Sequence, residues 1–266
     1  MRVTRVLMCR PTNFDVEYVI NPHMKPYSVN HDLAMQQWEG LVAALRTLDV
    51  TVEVIDQPPG VPDMVFATDQ GIVRGDKVLL ANFRYQQRKK ETPLYRRWFT
   101  EHGYEPYELT NMFSFEGGDG LIVHDTLMIG TGFRANVGSC EEIAQVLGID
   151  VFPLRLVDPN FYHLDMCFLP LSNDTGLYYP PAFSEASLRL MQKLIPHLYE
   201  MTIAEARGYA ANSFVTGDTV VLQSGNASFR QRLEALGRTV VEVDVSEFKK
   251  AGGGIHCLIN TLERSS

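Results

Sequence analysis

Four acidic side chains and one histidine sit in stretches whose apolar neighbours mark them as interior. Asp69 lies in Phe66-Ala-Thr-Asp-Gln-Gly71, Glu116 and Asp119 in Phe115-Glu-Gly-Gly-Asp119, and His163 and Asp165 in Tyr162-His-Leu-Asp165. Carboxylates gathered at one place raise one another's pKa, and burial disfavours their ionisation unless a cation joins them. A guanidinium is the natural guest, being flat, permanently charged and able to meet carboxylate oxygens in pairs. A thiol would complete the chemistry. Ala251-Gly-Gly-Gly-Ile-His-Cys257 sets three glycines ahead of Cys257, and glycine lets a backbone approach a ligand closely. Cys257 is the candidate nucleophile and His163 the candidate acid/base. A lone cysteine is more often a small buried hydrophobe, which is the reading given to Cys9, Cys140 and Cys167. His256 is expected on the opposite strand face, in a structural role. No His/Cys/Asp group has zinc-like spacing, so neither a metal nor another cofactor is expected.

The elements that must hold these residues come from turn chemistry. Arg74-Gly-Asp-Lys77, Val123-His-Asp-Thr126, Ser172-Asn-Asp-Thr175 and Thr216-Gly-Asp-Thr219 each carry an Asp in a turn between β-prone runs, and the four Asp are 49, 49 and 44 positions apart. Helical patterns follow at 93–100, 139–147, 184–195 and 227–236, with strand patterns at 104–109, 150–155 and 239–245. The first part of the chain supplies a helix at 33–48 and a strand at 50–55. Its missing hairpin forms if Arg5–Met8 joins the run Ile255–Asn260. The whole reads as α/β: five ββαβ modules of about 50 residues closed head to tail, a five-bladed α/β propeller with pseudo-fivefold symmetry in a single catalytic domain, 1–266. Asp-containing turns are frequent in any α/β protein, and an ordinary doubly wound sheet is the alternative.

In the propeller reading the strand before each turn faces a central channel. Asp69, Glu116, Asp119, His163 and Asp165 precede their turn Asp by 7, 9, 6, 11 and 9 positions, so they reach similar depth. Arg84 and Arg134 follow theirs by 8 and 9, which would set both at the channel mouth to bind the carboxylate of an amino-acid substrate.

The composition limits the alternatives. With 266 residues, 45% hydrophobic, the chain can bury a core without disulfide staples, and its 4 Cys lack paired spacing, so they are read as reduced. A net charge of -8 argues against nucleic acid or an anionic membrane as partner, since both demand a basic surface. No apolar run reaches the ~20 residues of a membrane span, and the first residues lack a signal-peptide core, so a cytoplasmic location is expected. A small cationic substrate is the expected partner, and a homo-oligomer is compatible with the sequence.

Together, Phe115-Glu-Gly-Gly-Asp119, Tyr162-His-Leu-Asp-Met-Cys167 and Gly252-Gly-Gly-Ile-His-Cys257 resemble the motifs of the guanidino-group-modifying, or pentein, superfamily. That superfamily includes arginine deiminases, dimethylarginine dimethylaminohydrolases, amidinotransferases and arginine dihydrolases. The likeness runs nearly end to end, from Met8-Cys-Arg-Pro11 and Val19-Ile-Asn-Pro22 through Asp63-Met-Val-Phe66 to Cys257. It is nearest to the catalytic domain of cyanobacterial arginine dihydrolases. One position departs: Asp69 stands where those dihydrolases carry Asn, and is similar to the guanidinium-binding Asp of dimethylargininases. The resemblance implies a hydrolase of arginine or methylarginine working through a covalent Cys257 amidino-thioether. Cys257, His163 and Glu116 would be catalytic, with Asp69, Asp119, Asp165, Arg84 and Arg134 binding substrate. An amidinotransferase and a non-catalytic binder of cationic amino acids are the competing functions.

Overall fold

The elements follow one another in a fixed rhythm in the computed structural model, which describes residues 2–110 and 112–265. First come β1 (Arg2–Arg10), α1 (His31–Thr47) and β2 (Thr51–Asp56). Next are β3 (Gly71–Arg74), β4 (Lys77–Leu80), α2 (Thr92–Glu101) and β5 (Glu105–Tyr107). The pattern repeats with β6 (Gly120–Val123), β7 (Thr126–Thr131), α3 (Cys140–Leu147) and β8 (Asp150–Arg155). It repeats again with β9 (Phe168–Pro170), β10 (Thr175–Tyr178), α4 (Glu185–Leu194) and β11 (His197–Glu200). After the short helix α5 (Ile203–Arg207) come β12 (Phe214–Thr216), β13 (Thr219–Gln223), α6 (Ala227–Ala235) and β14 (Thr239–Val243). A last short helix, α7 (Ser246–Lys249), leads to β15 (Asn260–Ser265).

Among the described residues these strands make five three-stranded sheets of one design: an antiparallel pair, then a third strand parallel to the middle one. A helix joins the middle strand to the third each time, as a parallel connection requires. Three hairpins close through two-residue turns, Gly75-Asp76, His124-Asp125 and Gly217-Asp218. Each opens on a residue with positive φ (65°, 55° and 56°), the conformation that matches the twist of a tight hairpin. In the sheet that joins both ends of the described chain β1 lies between β2 and β15, and Leu7 pairs with Asn260.

The chain divides into two compact units, one formed by Met1–Thr68 with Ala204–Ser266, the other by Asp69–Ile203. In the first, the Asn30 side chain caps α1 by accepting the Leu33 N–H at 3.1 Å, and the helix buries Ala34, Trp38, Leu41 and Leu45 on one face. Each such leucine contributes roughly 1.5–3 kcal/mol on burial. Phe14 stacks on Phe248 with ring centroids 4.8 Å apart and meets Phe66 edge-on at 6.0 Å. A side chain at Gly253 would strike the Phe66 ring at 2.1 Å, so this glycine is there for close approach. In the second unit Leu79 of β4, Leu127 and Ile129 of β7, and Ile143 and Leu147 of α3 close around Phe115.

Two expectations need correction. The run Ile255–Asn260 is not a strand: His256–Leu258 forms a 3-10 turn and β15 begins at Asn260. The Thr68 hydroxyl holds that turn, within hydrogen-bond distance of both the His256 and Ile259 carbonyls. Strand alternation therefore does not assign His256 its face. Nor do the acidic candidates lie on strands. They lie on short 3-10 turns immediately before the strands, at Ala67–Gln70, Gly117–Asp119 and Leu164–Met166, with Glu116 and His163 as the residues entering the latter two. A ladder strand commits its backbone polar groups to its neighbours, whereas a single tight turn can aim a side chain off the sheet end. No described helix is long and apolar enough to cross a membrane.

Candidate active site

The unit Asp69–Ile203 buries a row of charges of alternating sign. Glu91, which is fully buried, receives the Arg88 guanidinium, with Nη2 on Oε2 at 2.8 Å and Nε on Oε1 at 3.1 Å. Arg88 Nη1 reaches in the other direction to Asp69 Oδ2 at 2.6 Å. The other Asp69 oxygen faces His163 Nδ1 at 3.5 Å, while His163 Nε2 lies 3.0 Å from Glu116 Oε2. That Glu116 oxygen also accepts Arg134 Nη1 at 2.8 Å. With His163 protonated, three positive and three negative groups alternate along the row.

This order sets the protonation states. Burial alone would favour neutral His163, but Asp69, Asp119 and Glu116 overcome it and raise its pKa to about 9. Both ring nitrogens face carboxylate oxygens, and only the imidazolium can donate through both. Glu116 is pushed up by burial, but Arg134 and His163 more than reverse this and hold it well below the usual carboxylate range. Asp119 is the reverse case: burial, reinforced by the nearby charges of Glu116 and Asp69, raises it well above the ordinary value despite His163 and Arg134. Neither of its carboxylate oxygens has a hydrogen-bond partner among the described residues.

The candidates fare differently within this unit. Asp69, Glu116 and His163 come together, and Asp119 is buried within their electrostatic reach. Asp165 is buried on the turn that follows His163. Arg134 is buried, its guanidinium 4.8 Å from the Tyr85 ring centre and 4.5 Å from that of Tyr162, a cation–π setting beyond its ion pair. Arg84, its presumed counterpart, is exposed and touches the row only through its backbone N–H, which donates to Glu116 Oε1 at 3.3 Å. Matched spacing from the turn did not bring matched surroundings. The buried arginine of that segment is Arg88, which no sequence motif singles out and which stands in a charged run, Arg88-Lys89-Lys90-Glu91. Its i, i+3 pairing with Glu91 was the available signal.

Cys257 belongs to the other unit, buried in the turn before β15, and is in no disulfide. The Asn212 amide donates to its Sγ at 3.1 Å, a contact with no forerunner in the sequence motifs. Cys140 and Cys167 are poorly activated: burial pushes Cys140 up to about 11, and burial with Asp165 and Asp158 raises Cys167 well above the ordinary thiol value.

Metal binding also deserves a geometric answer. One ligand atom each from Asp69, Glu116 and His163 lie within 4.8 Å of one another, a grouping that sequence spacing does not reveal. Two of the three already hold guanidinium groups, so a divalent ion would add charge to a balanced row. The arrangement suits the exchange of one monovalent, planar cation against a proton.

Residues 10–264 match the family model described as N,N dimethylarginine dimethylhydrolase, eukaryotic. The chain belongs to the N,N dimethylarginine dimethylhydrolase family. Within and around this family, it is 39% identical over 261 residues to the bifunctional arginine dihydrolase/ornithine cyclodeaminase AgrE of Nostoc sp., covering 96% of this chain and 37% of that relative. The chain thus spans well under half the length of that two-activity protein. It is 38% identical over 264 residues to the N(G),N(G)-dimethylarginine dimethylaminohydrolase of Mycobacterium tuberculosis, covering 98% of this chain and 86% of the relative. Among solved structures it resembles the N-terminal domain of an ArgZ variant covalently bound to a reaction intermediate, with a TM-score of 0.94, 36% identity and 97% of each chain covered. The likeness to the dihydrolases carries over the whole matched region, as the motifs implied.

Proposed function

We propose that this member of the N,N dimethylarginine dimethylhydrolase family is a hydrolase that cleaves a guanidinium C–N bond of arginine or an N-methylated arginine. The observation that carries the reading is His163 held between the carboxylates of Asp69 and Glu116 in a fully buried, charge-alternating row. A substrate guanidinium can take over carboxylate oxygens there as His163 gives up its charge. Arg134 supplies positive charge for the substrate carboxylate, with Arg84 an exposed contributor, and Asp119 and Asp165 complete the acidic lining.

The reaction requires the Cys257 sulfur to reach the bound guanidinium. Neutral His163 takes the proton of the Cys257 thiol, the resulting thiolate attacks the central carbon and forms a C–S bond, and His163 gives that proton to the departing nitrogen as the C–N bond breaks. Ammonia or an alkylamine leaves, and an amidino-thioether remains on Cys257. Neutral His163 then takes a proton from water as the hydroxyl adds to that carbon. Collapse breaks the C–S bond, returns the electron pair to sulfur and releases a ureido product. Glu116 orients His163 and favours its charged form. These steps use only the chain's own thiol and imidazole.

A single round of hydrolysis is favoured by Asp69. The ureido product is neutral, so the carboxylates that hold a cation lose their ion-pair partner when it forms, and His163 is drawn back between them. The five modules are taken to close as a five-bladed propeller forming one catalytic domain, 1–266, and the enzyme to work in the cytoplasm.

Mass spectrometry of products from arginine and from dimethylarginine tests the reading. Citrulline with ammonia or dimethylamine is expected. Ornithine would overturn the single round, amidino transfer to an added amine would overturn hydrolysis, and undiminished turnover by Cys257→Ser would overturn the nucleophile.

A further inference from the structure

Asn212 is buried at the bend before β12, in the same unit as Cys257. Its side chain meets that residue twice. Oδ1 accepts the Cys257 backbone N–H at 3.2 Å, and Nδ2 lies 3.1 Å from Sγ. A backbone N–H can only donate, so the amide oxygen must face it, and the amide nitrogen must therefore face the sulfur. The Asn212 backbone C=O adds a third link by accepting the His256 N–H at 3.1 Å.

The surroundings are built to keep the amide in place. Asn212 N–H donates to the Tyr209 carbonyl at 3.1 Å, and Tyr209 itself holds a left-handed φ of 64°, uncommon for a residue with a large side chain. A side chain at Gly254 would lie 2.7 Å from Asn212 Oδ1. The third glycine of the run before Cys257 thus makes room for this amide.

We infer that Asn212 is a positioning residue for the proposed reaction, its amide fixing the Cys257 side chain and favouring thiolate over thiol. The inference rests on Cys257 being the nucleophile. A thiol sulfur is a weak acceptor and a thiolate a charged one, so a fixed N–H donor stabilises the second form more. The same donor faces the sulfur when the C–S bond breaks and negative charge returns to it.

The test is the pH dependence of Cys257 alkylation by iodoacetamide, with the adduct located by peptide mass. Cys140 and Cys167, held as thiols, stay slow in the neutral range. In the native protein the midpoint should fall below the ordinary thiol value of about 8.5. Asn212→Ala should raise it by about one pH unit, the tenfold effect of losing a hydrogen bond to a charged group. Asn212→Asp discriminates further, because it keeps an oxygen for the Cys257 N–H but sets a carboxylate against the sulfur. A purely structural role predicts an unchanged profile for Asn212→Ala, and the inference predicts a shift upward in both variants, larger in Asn212→Asp because the carboxylate adds like-charge repulsion.

A native midpoint at or above about 8.5 overturns the inference without any variant, so a substitution that fails to fold leaves it testable. An Asn212→Asp profile matching the native one overturns it as well. If either occurs while Cys257→Ser abolishes turnover, the inference fails and the proposed function stands. If Cys257→Ser keeps turnover, the proposed function itself fails.

Discussion

His163 Nδ1 sits 3.5 Å from Asp69 Oδ1, and Gly118 is packed against both atoms at once. A methyl group on Gly118 would lie 2.7 Å from each. Its backbone does not adopt a left-handed conformation, so the need for glycine here is one of space. Gly118→Ala should separate the pair and lower kcat by about 100-fold, the scale of an ångström-sized misplacement. The melting temperature should fall as well, because the substitution pushes apart a buried pair. Unaltered kcat in a folded Gly118→Ala protein would mean that the Asp69–His163 spacing does not matter to turnover.

Glu116 should control the charge of His163. Glu116→Gln removes the carboxylate nearest Nε2, so the His163 titration, followed by NMR, should move from about 9 back toward the ordinary value. Turnover should fall by about 10²–10⁴, the range expected when acid–base catalysis is lost. A histidine midpoint unmoved by the substitution would assign its charge to Asp69 and Asp119 instead.

The same histidine gives stability a pH dependence with a definite sign. Its pKa in the folded protein, about 9, lies above the unfolded value of roughly 6.5. The contribution is therefore fully present below about pH 6.5 and is lost as the pH rises through about 9. Melting temperatures measured from pH 6 to pH 10 should decline for the native protein more steeply than for His163→Gln. Parallel curves would contradict the assignment.

Arg88 holds two buried carboxylates, and Arg88→Met would leave both without this partner. Destabilisation of about 3–5 kcal/mol is expected, typical of breaking a buried ion pair from one side. Urea denaturation would measure it. Arg88→Lys should recover only part of the loss, because an ammonium lacks the fork that spans Asp69 and Glu91. Full recovery by lysine would show that charge alone suffices.

The β6–β7 turn offers a test remote from the site. His124 holds a φ of 55°, a conformation glycine adopts without steric cost. His124→Gly should raise stability by up to about 1 kcal/mol, read as a higher melting temperature. A lower melting temperature would show that the histidine makes compensating contacts.

Local chemistry is what the sequence made legible. The Asp-bearing turns mark real hairpins, the helical patterns fall on α1, α2, α3, α4 and α6, and Arg5–Met8 lies on a strand that pairs with a segment beyond Cys257. Asp69, Glu116 and His163 stood out because charged residues within apolar motifs need a shared purpose. Arg88 did not, since the burial of an arginine depends on partners such as Asp69 that only the fold brings near. Asn212 was equally silent: a neutral amide gains its meaning from the thiol it faces. The 3-10 turns escaped notice because three residues carry too little periodicity to separate them from a strand start.

β1 is flanked in its sheet by β2 and β15, the latter drawn from the far side of Cys257. During synthesis β2 emerges early, whereas the other neighbour of β1 must wait for Asn260–Ser265. Until then the nascent chain presents an unpaired strand edge, the kind that invites association with other chains. The long-range closure also makes folding of this sheet slow relative to the local hairpins. The turn bearing Cys257 precedes β15 directly, so the thiol would acquire its fixed surroundings only once residues 260–265 pair with β1.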